Sequence, residues 1–230
     1  HRGASEYAPE NTLSSFYLGL LQGANGIETD VQKTKDGVLV LFHDDTLDRV
    51  SDKQGRICDY TWDELKNAKI YGSCTTGFYD RIVTLREFLE KFSQYDINFA
   101  IELKGADVER ETLEMIKAFG IMNKTTFTSF KFQYIEKIKQ LDKTARIGWL
   151  VSSVNNEVIE QLLEIGGEEI APKAELLSDE LMNTVRSTCL GVRAWGVSSI
   201  ALMKKMCALG VDGMTVNFMF PNEEEGEDEY

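Results

Sequence analysis

Four short clusters in this chain carry residue types suited to chemistry: His1-Arg2-Gly3, Glu28-Thr29-Asp30, His43-Asp44 and Ile101-Glu102-Leu103-Lys104. Glu28 and Asp30 are two apart in a stretch that reads as a strand, so both carboxylates leave the same face. A pair of hard oxygen donors on one face suits Mg²⁺ or Ca²⁺. Glu102 and Lys104 repeat the spacing beside Phe99, Ile101 and Leu103. There a carboxylate and an ammonium are costly to bury unless they meet a partner or a ligand. His1 and His43 are the only histidines, and imidazoles can act as general base and general acid near neutral pH. The Arg2 guanidinium offers paired donors to phosphate oxygens. An acidic metal site, two imidazoles and two cations together suit cleavage of a phosphodiester.

Each cluster alone has a plainer reading. Glu28 and Asp30 could be the polar face of an edge strand, Glu102 and Lys104 a structural ion pair, and His43 a satisfied structural residue. Two histidines at the ends of two strands shift the balance, provided that the fold brings those ends together.

The elements that must position these residues follow from pattern. Gly26 to Gln32 and Val38 to His43 read as strands joined through Lys35-Asp36-Gly37, a turn signal too short to hold a crossover helix. They therefore run antiparallel, which brings His43 beside Glu28 and Asp30 to within about one residue of register. Before them, Ala8-Pro9-Glu10-Asn11-Thr12 reads as a helix start, with Pro and an acid in its first turn and Leu13, Phe16 and Leu20 on one face. Residues 45 to 83 read as an irregular insertion over one end of the domain, with a short helix near Trp62 to Asn67. A helix is expected over Thr84 to Gln94.

Strands and helices then alternate. Strands are expected at Ile97–Lys104, Thr126–Phe130, Arg146–Val151, Glu169–Pro172, Val192–Val197 and Val211–Val216. Helices fall near 107–119, 133–141, 157–165, 179–188 and 200–209. This alternation implies a parallel sheet. Leaving out the hairpin's return strand, seven strands run from Gly26 onwards, and an eighth would have to end at His1. The expected fold is α/β, a (β/α)₈ TIM-type barrel with a small insertion after the hairpin. A doubly wound sheet is the alternative, but no G-x-G-x-x-G follows any strand. In such a barrel the C-terminal strand ends gather in one mouth, where chemistry is placed. Trp195 at a late strand end is expected to line it.

Composition narrows the class. The 230 residues, 43% of them hydrophobic, suit one sizeable domain, expected over 1–221. A net charge of −13 argues against a nucleic-acid partner, which needs clustered Lys and Arg. Part of that charge lies in 222–230, an acidic run expected to be a disordered, solvated tail. No stretch approaches the roughly 20 apolar residues of a transmembrane segment. Cys189 and Cys207 fall among apolar residues and are expected to be buried thiols, while Cys58 and Cys74 could pair, although free thiols are favoured. A cytoplasmic, reducing setting is the default reading, with an extracellular one open if an upstream segment was removed.

The order His1-Arg2-Gly3, Pro9-Glu10-Asn11-Thr12, Glu28-Thr29-Asp30, Lys35-Asp36-Gly37, His43-Asp44-Asp45-Thr46-Leu47 and Ile101-Glu102-Leu103-Lys104 resembles the glycerophosphodiester phosphodiesterase family. Weaker echoes at Ser129-Phe130, Trp195 and Gly210-Val211-Asp212-Gly213 extend the resemblance along the whole chain. It implies that Glu28, Asp30 and Glu102 hold one divalent cation, Mg²⁺ or Ca²⁺. It also implies that His1 and His43 are the catalytic pair and that Arg2 and Lys104 steady the phosphate. The implied substrates are small glycerophosphodiesters, cleaved to glycerol 3-phosphate and an alcohol. A lysophospholipase D-like activity with Phe78, Tyr79, Phe218 and Phe220 as an apolar entrance is an alternative, as is an inactive barrel serving as a binding module. Two departures stand out. The family usually shows Trp-Thr-Val-Asn where this chain has Trp195-Gly196-Val197-Ser198, and Thr-Asp where it has Val216-Asn217.

Overall fold

The computed structural model describes residues 1–72 and 77–218. The reading of a disordered tail, and Cys74 and Phe220, fall outside them. In chain order the elements are α1 (Leu13–Leu21), β1 (Gly26–Lys33), β2 (Leu39–Leu41), α2 (Trp62–Leu65), β3 (Lys69–Tyr71), β4 (Tyr79–Arg81) and β5 (Val83–Thr84). Then come α3 (Leu85–Phe92), β6 (Asn98–Leu103), α4 (Glu109–Ala118), β7 (Thr125–Ser129), α5 (Phe132–Leu141) and β8 (Arg146–Val151). The series closes with α6 (Asn156–Glu164), β9 (Glu169–Pro172), α7 (Asp179–Arg186), β10 (Gly191–Val197), α8 (Ile200–Leu209) and β11 (Gly213–Val216).

One sheet of nine strands runs β11-β10-β9-β8-β7-β6-β1-β2-β5. Pairings from β1 through β6 to β11 are parallel, as the strand–helix alternation requires. The sheet curls until its first and last parallel strands are bridged by the chain start. The His1 amine donates to the Val216 carbonyl at 2.7 Å, and the Arg2 N–H donates to the Glu28 carbonyl at 3.0 Å. This is the TIM-type (β/α)₈ barrel, and residues 1–4 stand at the upper end of the eighth stave. Beneath them, between β11 and β1, a cavity of about 950 Å³ is walled by Phe16, Leu20, Ile27, Phe99 and Met214. No eighth strand fills that seam among the described residues.

Helices coat the sheet with apolar faces. In α3, Leu85, Phe88, Leu89 and Phe92 are all buried, and Thr84 caps the start by accepting from the Glu87 N–H. Phe88 meets Phe16 and Phe99 edge-on at 4.9 and 5.9 Å, a favoured geometry for buried rings. Rings from a helix, a neighbouring helix and a strand thus lock one flank of the barrel beneath its mouth.

Three expectations need correction. Pro9, Glu10 and Asn11 precede the helix rather than open it. Thr12 is the N-cap, and Asn11 has φ +56°, which a helix interior excludes. The insertion is not irregular. Val40, Phe42, Leu47, Val50, Ile57, Leu65, Ala68, Ile70 and Ile82 bury one another in a second small core, and β3 pairs with β4. Short elements with scattered Gly and Asp hid that core, because its apolar residues come from many turns rather than one periodic run. Finally, Cys189 and Cys207 are exposed, as is Cys58, and all three are free thiols. The apolar neighbours of Cys189 and Cys207 in sequence turn inward instead.

Candidate active site

The β1–β2 hairpin sets the site. Val31 pairs with Leu41, and the Phe42 N–H donates to the Asp30 carbonyl at 2.9 Å. This register puts His43 across from Thr29, between Glu28 and Asp30. On the other side of β1, Asp30 pairs with Glu102 of β6. Glu28, Asp30 and Glu102 therefore converge, each buried, with one oxygen of each within 4.8 Å of the others.

This convergence strains their ionisation. Burial and the Asp30 charge push the Glu102 carboxyl up to about 8, and burial and Asp30 also raise Glu28. Burial would raise Asp30 as well, but Arg2, His43, Lys104 and the Asn11 amide outweigh it and hold Asp30 below the ordinary carboxylate range. The Asp30 Oδ1 atom is buried without a hydrogen-bond partner. Three converging carboxylates, one of them with an unsatisfied oxygen, fit a small divalent cation, which would relieve their mutual repulsion.

Cations ring the acids. Lys104 Nζ lies 3.0 Å from Glu102 and 3.8 Å from Asp30. Arg2 Nε lies 3.4 Å from Asp30, and Arg2 Nη1 donates to Glu10 at 3.1 Å. Arg2 holds φ +56°, and Gly3 after it holds φ +80°. A Cβ on Gly3 would lie 2.4 to 2.6 Å from the backbone and hydroxyl of Ser15, so the chain passes α1 only because Gly3 has no side chain.

The two histidines are held differently. His43 Nδ1 lies 2.6 Å from Asp44 Oδ1. Arg49 Nε donates to the other Asp44 oxygen at 2.5 Å, while its two terminal nitrogens donate to both oxygens of Glu10 at 2.9 and 2.6 Å. A continuous charged chain thus runs His43–Asp44–Arg49–Glu10–Arg2–Asp30. Burial raises Asp44, but the bonds from Arg49 and His43 prevail and bring it to about 2. Burial lowers His43 against the pull of Asp30 and Asp44. His1 Nδ1 instead lies 2.6 Å from the side-chain oxygen of Asn217, and its Nε2 lies 4.0 Å from Glu28.

A pocket of about 270 Å³ opens above the acids. His1, Arg2, Glu28, His43, Glu102 and Trp195 all line it. The Trp195 indole donates to the Val151 carbonyl at 3.2 Å and meets Phe130 edge-on at 5.2 Å. Gly196 has φ +71°, at a register shift between β10 and β11. A threonine there would be strained, so the departure after Trp195 belongs to this local backbone. Of the residues suggested for an apolar entrance, Phe78 and Tyr79 are exposed on the insertion. Phe218 borders the seam cavity instead of the mouth.

Sequence reasoning missed five participants. Glu10 and Asn11 fall in the expected helix start, although Asn11 donates to Asp30 at 2.9 Å and accepts from Thr29 at 2.7 Å. Arg49 lies inside the insertion, where nothing in its sequence neighbours singles it out. Arg193 lines the pocket and pairs with Glu169 at 2.9 Å. Its position two residues before Trp195, on the same strand face, was the available signal. Asn217 stands out in the sequence only as a departure from the family's usual Asp.

Comparison with known proteins agrees with the barrel. The model of the glycerophosphoryl diester phosphodiesterase family matches residues 1–220, and the chain belongs to that family. A glycerophosphodiester phosphodiesterase of Bacillus altitudinis is 32% identical over 233 residues, covering 95% of this chain and 93% of the relative. One from Caldanaerobacter subterraneus is 30% identical over 222 residues, covering 93% and 90%. Among solved structures, an Oleispira antarctica phosphodiesterase in complex with the product sn-glycerol-3-phosphate superposes with a TM-score of 0.87. It is 30% identical and covers 95% of this chain and 91% of that one.

Proposed function

We propose that the chain hydrolyses glycerophosphodiesters to glycerol 3-phosphate and an alcohol at this mouth, using one divalent cation and the two histidines. The observation that carries the proposal is the convergence of Glu28, Asp30 and Glu102 between His1 and His43. These three carboxylates would hold Mg²⁺ or Ca²⁺, which when bound supplies charge neutralisation at a phosphoryl oxygen.

Arg2 and Lys104 steady the remaining phosphoryl oxygens and the charge that grows on them. Trp195 walls the pocket beside them. His1 Nε2 takes the proton of the attacking hydroxyl, which belongs to water or to the 2-hydroxyl of the glycerol. The new P–O bond forms as the bond to the alcohol breaks, and His43 returns a proton to the leaving oxygen. Attack by the glycerol hydroxyl would give a cyclic phosphate first, opened by water in a second turn. Arg49 and Asp44 hold the His43 ring throughout.

Residues 1–221 form one such domain, and the insertion at about 45–83 braces the mouth through Arg49. The exposed free thiols of Cys58, Cys189 and Cys207 fit a reducing, cytoplasmic setting. Among the described residues, no helix is long and apolar enough to cross a membrane.

Glycerophosphocholine and glycerophosphoethanolamine test the activity. Release of glycerol 3-phosphate with free choline or ethanolamine is expected, silenced by a chelator and restored by Mg²⁺ or Ca²⁺. Turnover that survives complete chelation, or release of phosphocholine instead, contradicts the proposal.

A further inference from the structure

His1 is held by the end of the last strand and the residue after it, with Glu28 4.0 Å from its Nε2. Its amine donates to the Val216 carbonyl, and its ring meets the next side chain, Asn217. The Asn217 carbonyl in turn accepts from the Glu6 N–H at 3.1 Å, so the residue that holds the ring is itself tied to the loop after His1. A neutral imidazole has one donor nitrogen and one acceptor nitrogen. An amide oxygen can only accept. The 2.6 Å contact between His1 Nδ1 and Asn217 Oδ1 therefore puts the ring proton on Nδ1 and leaves the Nε2 lone pair toward Glu28 and the pocket.

We infer that Asn217 is a positioning residue, fixing His1 in the Nδ1–H tautomer with Nε2 turned into the mouth. The assignment rests on the reading of His1 as the base only for its consequence in turnover; the tautomer itself does not depend on any substrate. The two histidine supports differ in kind. Asp44 brings a carboxylate braced by Arg49 to His43, whereas Asn217 brings a neutral acceptor to His1. The family's usual Asp at this position would keep the acceptor and add a charge, so the amide retains the orienting function alone.

With two histidines in the chain, ¹⁵N NMR of the imidazoles resolves the question directly in the full chain, a His43→Gln variant assigning the two sets of signals. A protonated Nδ1 and a bare Nε2 are expected for His1. Asn217→Leu should mix the tautomers of His1 while leaving His43 unchanged. It should also lower kcat roughly 10- to 100-fold, as loss of an outer-shell partner does, with KM little altered. Asn217→Asp should restore the Nδ1–H signal and most of kcat. A His1 ring protonated on Nε2 in the wild type overturns the inference, as does an unchanged His1 spectrum in Asn217→Leu. Wild-type protein that shows the expected tautomer but no turnover supports this placement and sinks the phosphodiesterase reading instead.

Discussion

The mouth has two unlike sides. On the hairpin side, His43 sits in a chain of charges that passes through Asp44, Arg49 and Glu10 to Arg2 and Asp30. The insertion's own buried core, with Leu47 and Val50 on either side of Arg49, holds that chain in place. On the seam side, His1 meets one amide oxygen, makes one backbone bond to Val216 and lies 4.0 Å from Glu28, above a large cavity of mixed polar and apolar lining. Charge-assisted bonds are short and strong but hold their geometry only while both partners remain. A neutral acceptor orients a ring without adding to the crowd of carboxylates beside it. The hairpin side should therefore respond sharply to loss of any ionic partner, and the seam side to loss of shape and hydrogen bonding.

The largest contrast comes from removing a ring altogether. His43→Ala is expected to lower kcat by about 10²–10⁴-fold while thermal unfolding stays near that of the wild type, because the ring is only part-buried. Retained turnover would place the acid elsewhere. Breaking the charged chain one step back is milder. Arg49→Ala frees both Asp44 and Glu10, and a fall of roughly 10- to 100-fold is expected, whereas Arg49→Lys should recover little because one ammonium cannot reach both carboxylates in bidentate fashion. Steady-state kinetics of the two variants decide this.

Leu47→Ala sharpens the comparison through packing. A buried leucine truncated to alanine costs about 2–5 kcal/mol, and here the loss should loosen Arg49 and lower activity. Ile138→Ala, buried in the main core far along the chain, should cost similar stability and leave kcat in place below the melting transition. Calorimetry paired with kinetics separates the two effects.

The smallest expected effect is one of pH. Glu102 titrates near 8, above its ordinary range, because of burial and the Asp30 charge. A carboxyl raised on folding contributes stability that is full below the unfolded value and lost as pH rises through about 8. The metal-free protein should therefore lose melting temperature between ordinary carboxylate pH and about 8. Binding of the cation must displace that proton, so affinity should rise across the same window and level off above it. Titration calorimetry in two buffers of different ionisation enthalpy reads the released proton.

The hairpin side was legible in the sequence. Asp36-Gly37 dictated a tight return, the return dictated antiparallel pairing, and the pairing put His43 against Glu28 and Asp30. Strand alternation was legible too, with Arg146–Val151, Glu169–Pro172 and Ile200–Leu209 bounded as the pattern implies. The seam side was not, since Asn217 meets His1 across 216 residues of chain and no local rule links them. Asn11 misled for a related reason. Its left-handed backbone is stabilised by bonds to Thr29 and Asp30, which a reading of helix caps does not include. Arg49 was hidden because a single arginine in a loop-rich stretch carries no periodicity.

Direct titration of the stripped protein with Mg²⁺ or Ca²⁺, alongside Glu28→Gln, Asp30→Asn and Glu102→Gln, tests the acidic triad with no substrate involved. One ion per chain is expected for the wild type, with affinity weakened or abolished in each variant while the barrel stays folded. Equal binding in all four proteins, or none in the wild type, would contradict a cation held between these three carboxylates.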